Sequence, residues 1–207
     1  MLSSYKISNY NKSNKYVLEI IGGINNNNNN DGSFLSSIQQ VLINSLKNME
    51  ETKLIFHASN CLDLASVLKK GALTYDQALT MIGCLSKQMM FLNERNISFV
   101  GVGLSDILVL NDLSLFFIAS PAHLQRISKN RTIIFDAPFW KPKFVSPFVE
   151  EVASIPSSVT CLVDRCSLAM LVIHAMGILD LESIRGTKMY WFLKRCLTHY
   201  EGGMILI

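Results

Sequence analysis

Four histidines, five cysteines and a small set of carboxylates bound the chemistry open to this chain. His57, His123, His174 and His199 are scattered, and Cys61, Cys84, Cys161, Cys166 and Cys196 form no CxxC pair. A zinc-type site needs closely spaced pairs of such ligands, so no metal centre is expected. Cys161 and Cys166 flank Asp164 and read as buried thiols. Gly101 and Gly103, in the run GVG, resemble a fragment of a phosphate-binding loop, but no third glycine or following helix completes it. Asp106 is a lone carboxylate that could hold a cation; solvation or helix capping is the reading its surroundings favour. No Ser, Cys or Thr stands in a nucleophile motif such as GxSxG. Asp164 opens a nearly all-apolar stretch, where a helix dipole and free amides favour a carboxylate. His174, later in that stretch, reads as a hydrogen-bonded core residue. No cofactor is implied.

The elements that would position these residues follow from pattern. Hydrophobic residues make up 49% of 207 and charged residues 17%, enough apolar surface for one sizeable core. The formal charge is +3 without a basic run, so neither nucleic acid nor an anionic membrane is an expected partner. The longest apolar run, 166–179, is interrupted by His174 and falls short of the ~20 residues that span a bilayer. A polar opening (1–16) without a signal peptide, and an odd cysteine count, point to a reduced intracellular setting.

YVLEII (16–21) reads as a strand bounded by Gly22 and Gly23, and 1–15 as frayed or irregular strand. Six consecutive asparagines, 25–30, followed by Asp31 and Gly32, form a flexible loop. The spacing of apolar residues at 34, 35, 38, 42, 43 and 46 predicts a helix over 34–46. KLIFH (53–57) is a strand, and 62–68 a short helix closed by Gly71. Thr74 and Gln77 form a capping box, and Ala78, Ile82, Leu85, Met89 and Leu92 share one face of the helix that follows. Met81, Met89 and Met90 on this helix read as core filler. Residues 107–110 and 113–118 flank Asn111-Asp112 as a hairpin. A strand at 132–135, a proline-punctuated loop at 138–147, a central helix at 164–176 and a last helix at 188–198 complete the order. Trp140 in the loop is read as lodging in the core in preference to standing out as a partner anchor.

That order of elements resembles a eukaryotic-type protein kinase domain. FLNERNISFVGVGLSDILVL (91–110) is similar to the kinase catalytic segment, and DRCSLAML (164–171) to the family's Asp-x-Trp-Ser-Leu-Gly. PKFVSPFVEEVASIPSSVT, GTKMYWFLKRCL and MILI resemble the divergent kinase-like proteins of large DNA viruses. The resemblance covers about 54–207 and is faint before that.

Alignment through Ile107-Leu108 places the family's His and Arg on Phe99 and Val100, its catalytic Asp on Gly101, the Lys two further on Gly103, and its metal-binding Asn on Asp106. The Asp of the metal-binding Asp-Phe-Gly falls near 118–120, where no carboxylate stands. The strand Lys falls on Glu19 and the helix Glu on Gln39. Phosphoryl transfer needs clamped phosphates, carboxylate-held magnesium and an oriented nucleophile. Loss of these groups together implies a pseudokinase. The resemblance also implies structural roles for Asp164, which would accept hydrogen bonds from backbone amides of 98–102, and for Arg195, which would pair with Glu150 or Glu151 because Phe148 replaces the family's Glu.

The expected fold is α+β and bilobal. It has a reduced N-lobe over 1–56, a hinge at 57–60, and a mainly helical, truncated C-lobe over 61–207. The expected function is a non-catalytic protein that binds or scaffolds a protein partner in the host cytoplasm or a virion, with nucleotide binding lost. The alternatives are a divergent active kinase using Glu19 or Asp106, and a virion structural component.

Overall fold

The computed structural model describes residues 4–9, 14–21, 30–50 and 52–198. The chain opens with strands β1 (Ser4–Asn9) and β2 (Lys15–Ile21), then helix α1 (Asn30–Leu42), β3 (Leu46–Met49) and β4 (Lys53–His57). These strands make one antiparallel sheet in the order β1-β2-β4-β3. Alternation drives it: Leu18 and Ile20 on β2, and Leu54 and Phe56 on β4, are buried with half-exposed residues between them.

Three expectations change here. The segment read as frayed or irregular contains a regular six-residue strand in full register with β2. The helix predicted over 34–46 stops at Leu42. Phe34, Leu35, Ile38 and Leu42 supply its buried face, Ile43 is 62% exposed, and Leu46 pairs with Phe56 at the sheet edge. The predicted loop over 25–32 ends early, because Asn30–Gly32 already belong to α1; its remaining residues, 25–29, lie outside the described residues.

After Ala58–Asn60 come β5 (Cys61–Asp63), α2 (Leu64–Leu68) and α3 (Tyr75–Asn93). The helix predicted over 62–68 therefore begins two residues late, because 61–63 pair with the later hairpin and Asp63 caps α2 through the Ser66 amide at 2.7 Å. The capping box forms as read: the Thr74 amide donates to Gln77 Oε1 at 2.9 Å and the Gln77 amide to Thr74 Oγ1 at 3.4 Å. Such a cap contributes ~1 kcal/mol. Met81, Leu85, Met89 and Leu92 line the buried face; Met90 points outward.

Strands β6 (Ile97–Phe99), β7 (Gly101–Val102), β8 (Ile107–Leu110), β9 (Leu115–Ile118), β10 (Leu124–Arg126), β11 (Thr132–Phe135) and β12 (Phe144–Val145) follow. Helix α4 (Pro147–Glu150), strand β13 (Ser157–Thr160), and helices α5 (Val163–Ala175) and α6 (Lys188–Leu197) complete the chain. The β8–β9 hairpin turns through Asn111, Asp112 and Leu113, all with left-handed φ (50°, 53° and 72°), and β5 joins it as a third strand. The segment between β9 and α5 is held by three short antiparallel ladders, β6–β10, β7–β12 and β11–β13. Helix α5 is central: nine of its residues, Asp164 among them, are buried. Among the described residues, no helix is long and apolar enough to cross a membrane.

Candidate functional site

Strand β12 lies directly across Gly101. Phe144 pairs with Val102 and Val145 with Gly101. A Cβ placed on Gly101 would collide with Pro142 Cγ and sit 2.7 Å from the Phe144 carbonyl oxygen. The position aligned with a catalytic carboxylate thus lacks a side chain and is also roofed by backbone. Gly103 has a similar local cause: a Cβ there would lie 2.7 Å from Asp106 Oδ2, which accepts the Gly103 amide at 2.8 Å. The GVG run therefore serves close chain approach. Phe99 and Val100 are buried, the latter in a small second core with Ile133, Phe135, Val145 and Val149.

Asp106 caps the 3-10 turn Leu104–Asp106 and stands 3.8 Å from His123 Nε2. Burial holds the His123 imidazole below its ordinary range, partly offset by Asp106. Among the described residues, no cluster of three or more His, Cys, Asp or Glu is arranged to hold a metal ion. Tyr5, on β1, donates a hydrogen bond from its hydroxyl to the Ser105 carbonyl next to Asp106. Burial, with Asp106, Asp63 and Cys61 nearby, pushes this phenol up to about 12. The first strand of the sheet is thereby tied to the turn that carries Asp106. Glu19 is engaged elsewhere, 3.2 Å from Lys53 on β4, in a half-exposed pair worth at most ~1 kcal/mol. Gln39 is half-buried on α1, and its side chain makes no hydrogen bond with the described residues.

Gln88 is the residue that sequence reasoning missed. Its side chain is fully buried on α3. The carboxamide accepts the Ile118 amide at 2.8 Å, donates to the Ile118 carbonyl at 2.9 Å, and donates to Ser37 Oγ on α1 at 3.2 Å. One side chain thus joins α3, α1 and the end of β9, where the aligned metal-binding carboxylate is missing.

Asp164 is 1% exposed and lies beside the loop, but not through the expected backbone amides. It accepts from Asn93 Nδ2 at 2.8 Å and from the Arg165 amide at 2.7 Å, with the Ser98 hydroxyl also favouring the carboxylate. Both short strands of this stretch also pair with later ones: Ile97–Phe99 pair with β10, the Val100 amide donates to the His123 carbonyl, and Gly101–Val102 pair with β12. Burial raises the Asp164 pKa despite these hydrogen bonds. The folded protein therefore keeps this proton to a higher pH than the unfolded chain does. The contribution to stability is greatest below the ordinary carboxylate value of about 4 and is lost as pH rises through the raised folded value. Urea unfolding from pH 4 to 7 should show wild type losing stability relative to Asp164→Asn as pH rises; an opposite slope would contradict this.

Three further expectations are corrected. Arg195 is exposed, with no ion pair to Glu150 or Glu151 among the described residues, because the face of α6 that is buried carries Met189, Tyr190, Leu193 and Cys196. His174 is exposed, tilted against Phe144 with ring centroids 5.0 Å apart. Trp140 is 71% exposed, while its neighbour Phe139 stacks on Phe135. His199 and the run MILI lie outside the described residues.

The mixed α+β arrangement, with an N-terminal sheet, a long capped helix, a hairpin and a central buried helix, is a protein kinase-like fold. The solved structure of the Cydia pomonella granulovirus kinase PK-1 is similar to it with a TM-score of 0.50 at 14% sequence identity, covering 83% of this chain and 68% of that one. No family model matches the chain, and no curated protein matches it.

Proposed function

We propose that this protein is a two-lobed viral pseudokinase that works by binding a protein partner inside the host cell or virion. The observation that carries the reading is the roof over Gly101. A catalytic carboxylate there would have to displace Pro142 and the backbone of β12. The surroundings support it. The hydroxyl of Tyr5 ties the sheet to Ser105, and Gln88 fills hydrogen-bonding sites at Ile118. The groups that would clamp phosphate and orient the nucleophile are replaced at Glu19, Gln39, Gly101 and Gly103, and no carboxylate stands at 118–120 to hold magnesium.

The test uses the full chain with radiolabelled ATP, a broad peptide set, and magnesium or manganese. No incorporation above a heat-denatured control is expected, and ATP should leave the melting temperature unchanged with either metal. Incorporation that Asp106→Asn abolishes would refute the reading.

A further inference from the structure

A concavity lies on the other face of β5 from the Tyr5–Ser105 contact. Side chains alternate along a strand. Cys61 and Asp63 act on the Tyr5 phenol, whereas Leu62 lines a trough of about 380 Å³ between α2, the start of α3 and the hairpin tip. That volume falls within the ~300–1,000 Å³ typical of ligand sites. Leu62, Val67 and Leu113 give it an apolar wall, and Leu62 is 39% exposed.

We infer that this trough is a docking site for an extended peptide segment of a partner protein. Three features select that occupant. First, Lys70 and Asp112 both line the trough, yet neither has an ion-pair partner among the described residues. They suit a ligand that carries both signs of charge around an apolar side chain. Second, 71–74 are neither helix nor strand, and the N–H and C=O of Ala72 make no hydrogen bond within the described protein. An extended main chain can satisfy such groups, as in strand-addition recognition. Third, the tip is built to hold its shape. Asp112 and Leu113 sit in left-handed backbone, and the Asn60 carboxamide donates to the Asp112 carboxylate and accepts the Asp112 amide at 3.2 Å. The site shares no residue with the Tyr5–Ser105 contact or the Gly101 roof, so the inference stands whether or not the protein binds nucleotide.

The experiment pans a phage-displayed library of random linear peptides against the full chain, then measures fluorescence anisotropy with the enriched peptides. Enriched sequences should carry an apolar residue flanked by charge. Leu62→Asp should weaken their binding at least ~10-fold. Lys70→Glu should weaken it also, with recovery when the acidic residue of the peptide is changed to lysine. Leu62 and Lys70 are exposed, and an unchanged melting temperature verifies folding of both variants; were Leu62→Asp misfolded, the Lys70 charge exchange decides alone. No enrichment, or enriched peptides indifferent to the substitutions, would overturn the inference.

Discussion

Gly101→Asp, which places a carboxylate where the kinase-like segment lacks one, is expected to destabilise the protein and to leave it without phosphotransfer. The new Cβ alone would collide with Pro142 and press on the Phe144 carbonyl, the latter held by the β7–β12 ladder. Forcing atoms into such a packed site costs about 1–3 kcal/mol, and burying a charge without a donor adds to it. A loss of ~3 kcal/mol would lower the melting temperature by roughly 6–12 °C in a domain of this size. Gly101→Ala should fall between wild type and the aspartate variant, because it carries the steric part without the charge. Melting curves of the two variants decide the matter. Wild-type stability in Gly101→Asp would mean that β12 does not cover the position.

Replacing Gln88 is the second large effect. Gln88→Leu preserves much of the volume but removes all three hydrogen bonds. It leaves the Ile118 amide and carbonyl buried beside an apolar side chain, while the Ser37 hydroxyl keeps only its bond to the Phe34 carbonyl at 2.6 Å. A buried group left without a partner costs about 1–3 kcal/mol, so a total of ~3–5 kcal/mol is expected. Urea unfolding measures it. Ser37→Ala combined with Gln88→Leu should cost less than the sum of the two, because the bond between these two side chains is lost in either single variant. A loss below ~1 kcal/mol for Gln88→Leu would show that Ile118 finds other partners.

What the sequence made legible was local and periodic. The Thr74–Gln77 box, strands 53–57 and 132–135, the Asn111-Asp112 turn and the central helix each rest on a few neighbouring residues, and each stands where the pattern put it within about two positions. Long-range partners were not legible. Nothing near Asp164 in the chain says that Asn93 will reach it first, or that Ile97–Phe99 and Gly101–Val102 will each pair with a later strand. Arg195 and His174 were misread for a related reason: a helix turned by a modest angle moves a side chain from core to water, and apolar neighbours in sequence do not fix that angle. Trp140 was misread because Phe139, one residue away, takes the interior place. Gln88 was within reach. It falls three residues after Leu85 and four before Leu92, on the buried stripe of α3, and a polar residue on such a stripe must find partners. Asking what it bonds would have pointed towards the missing carboxylate near 118.

The three ladders between β9 and α5 carry a consequence for control. A segment that is disordered in one state loses conformational entropy when a modification or ligand orders it, and that loss gives such switches their two positions. In this protein the stretch between β9 and α5 is already paired at Leu124–Arg126, Thr132–Phe135 and Phe144–Val145. A phosphate added there would meet a chain with little freedom left to surrender. Hydrogen exchange should accordingly find these ladder amides protected before any partner arrives, with the stretch behaving as a fixed part of the scaffold and not as a gate.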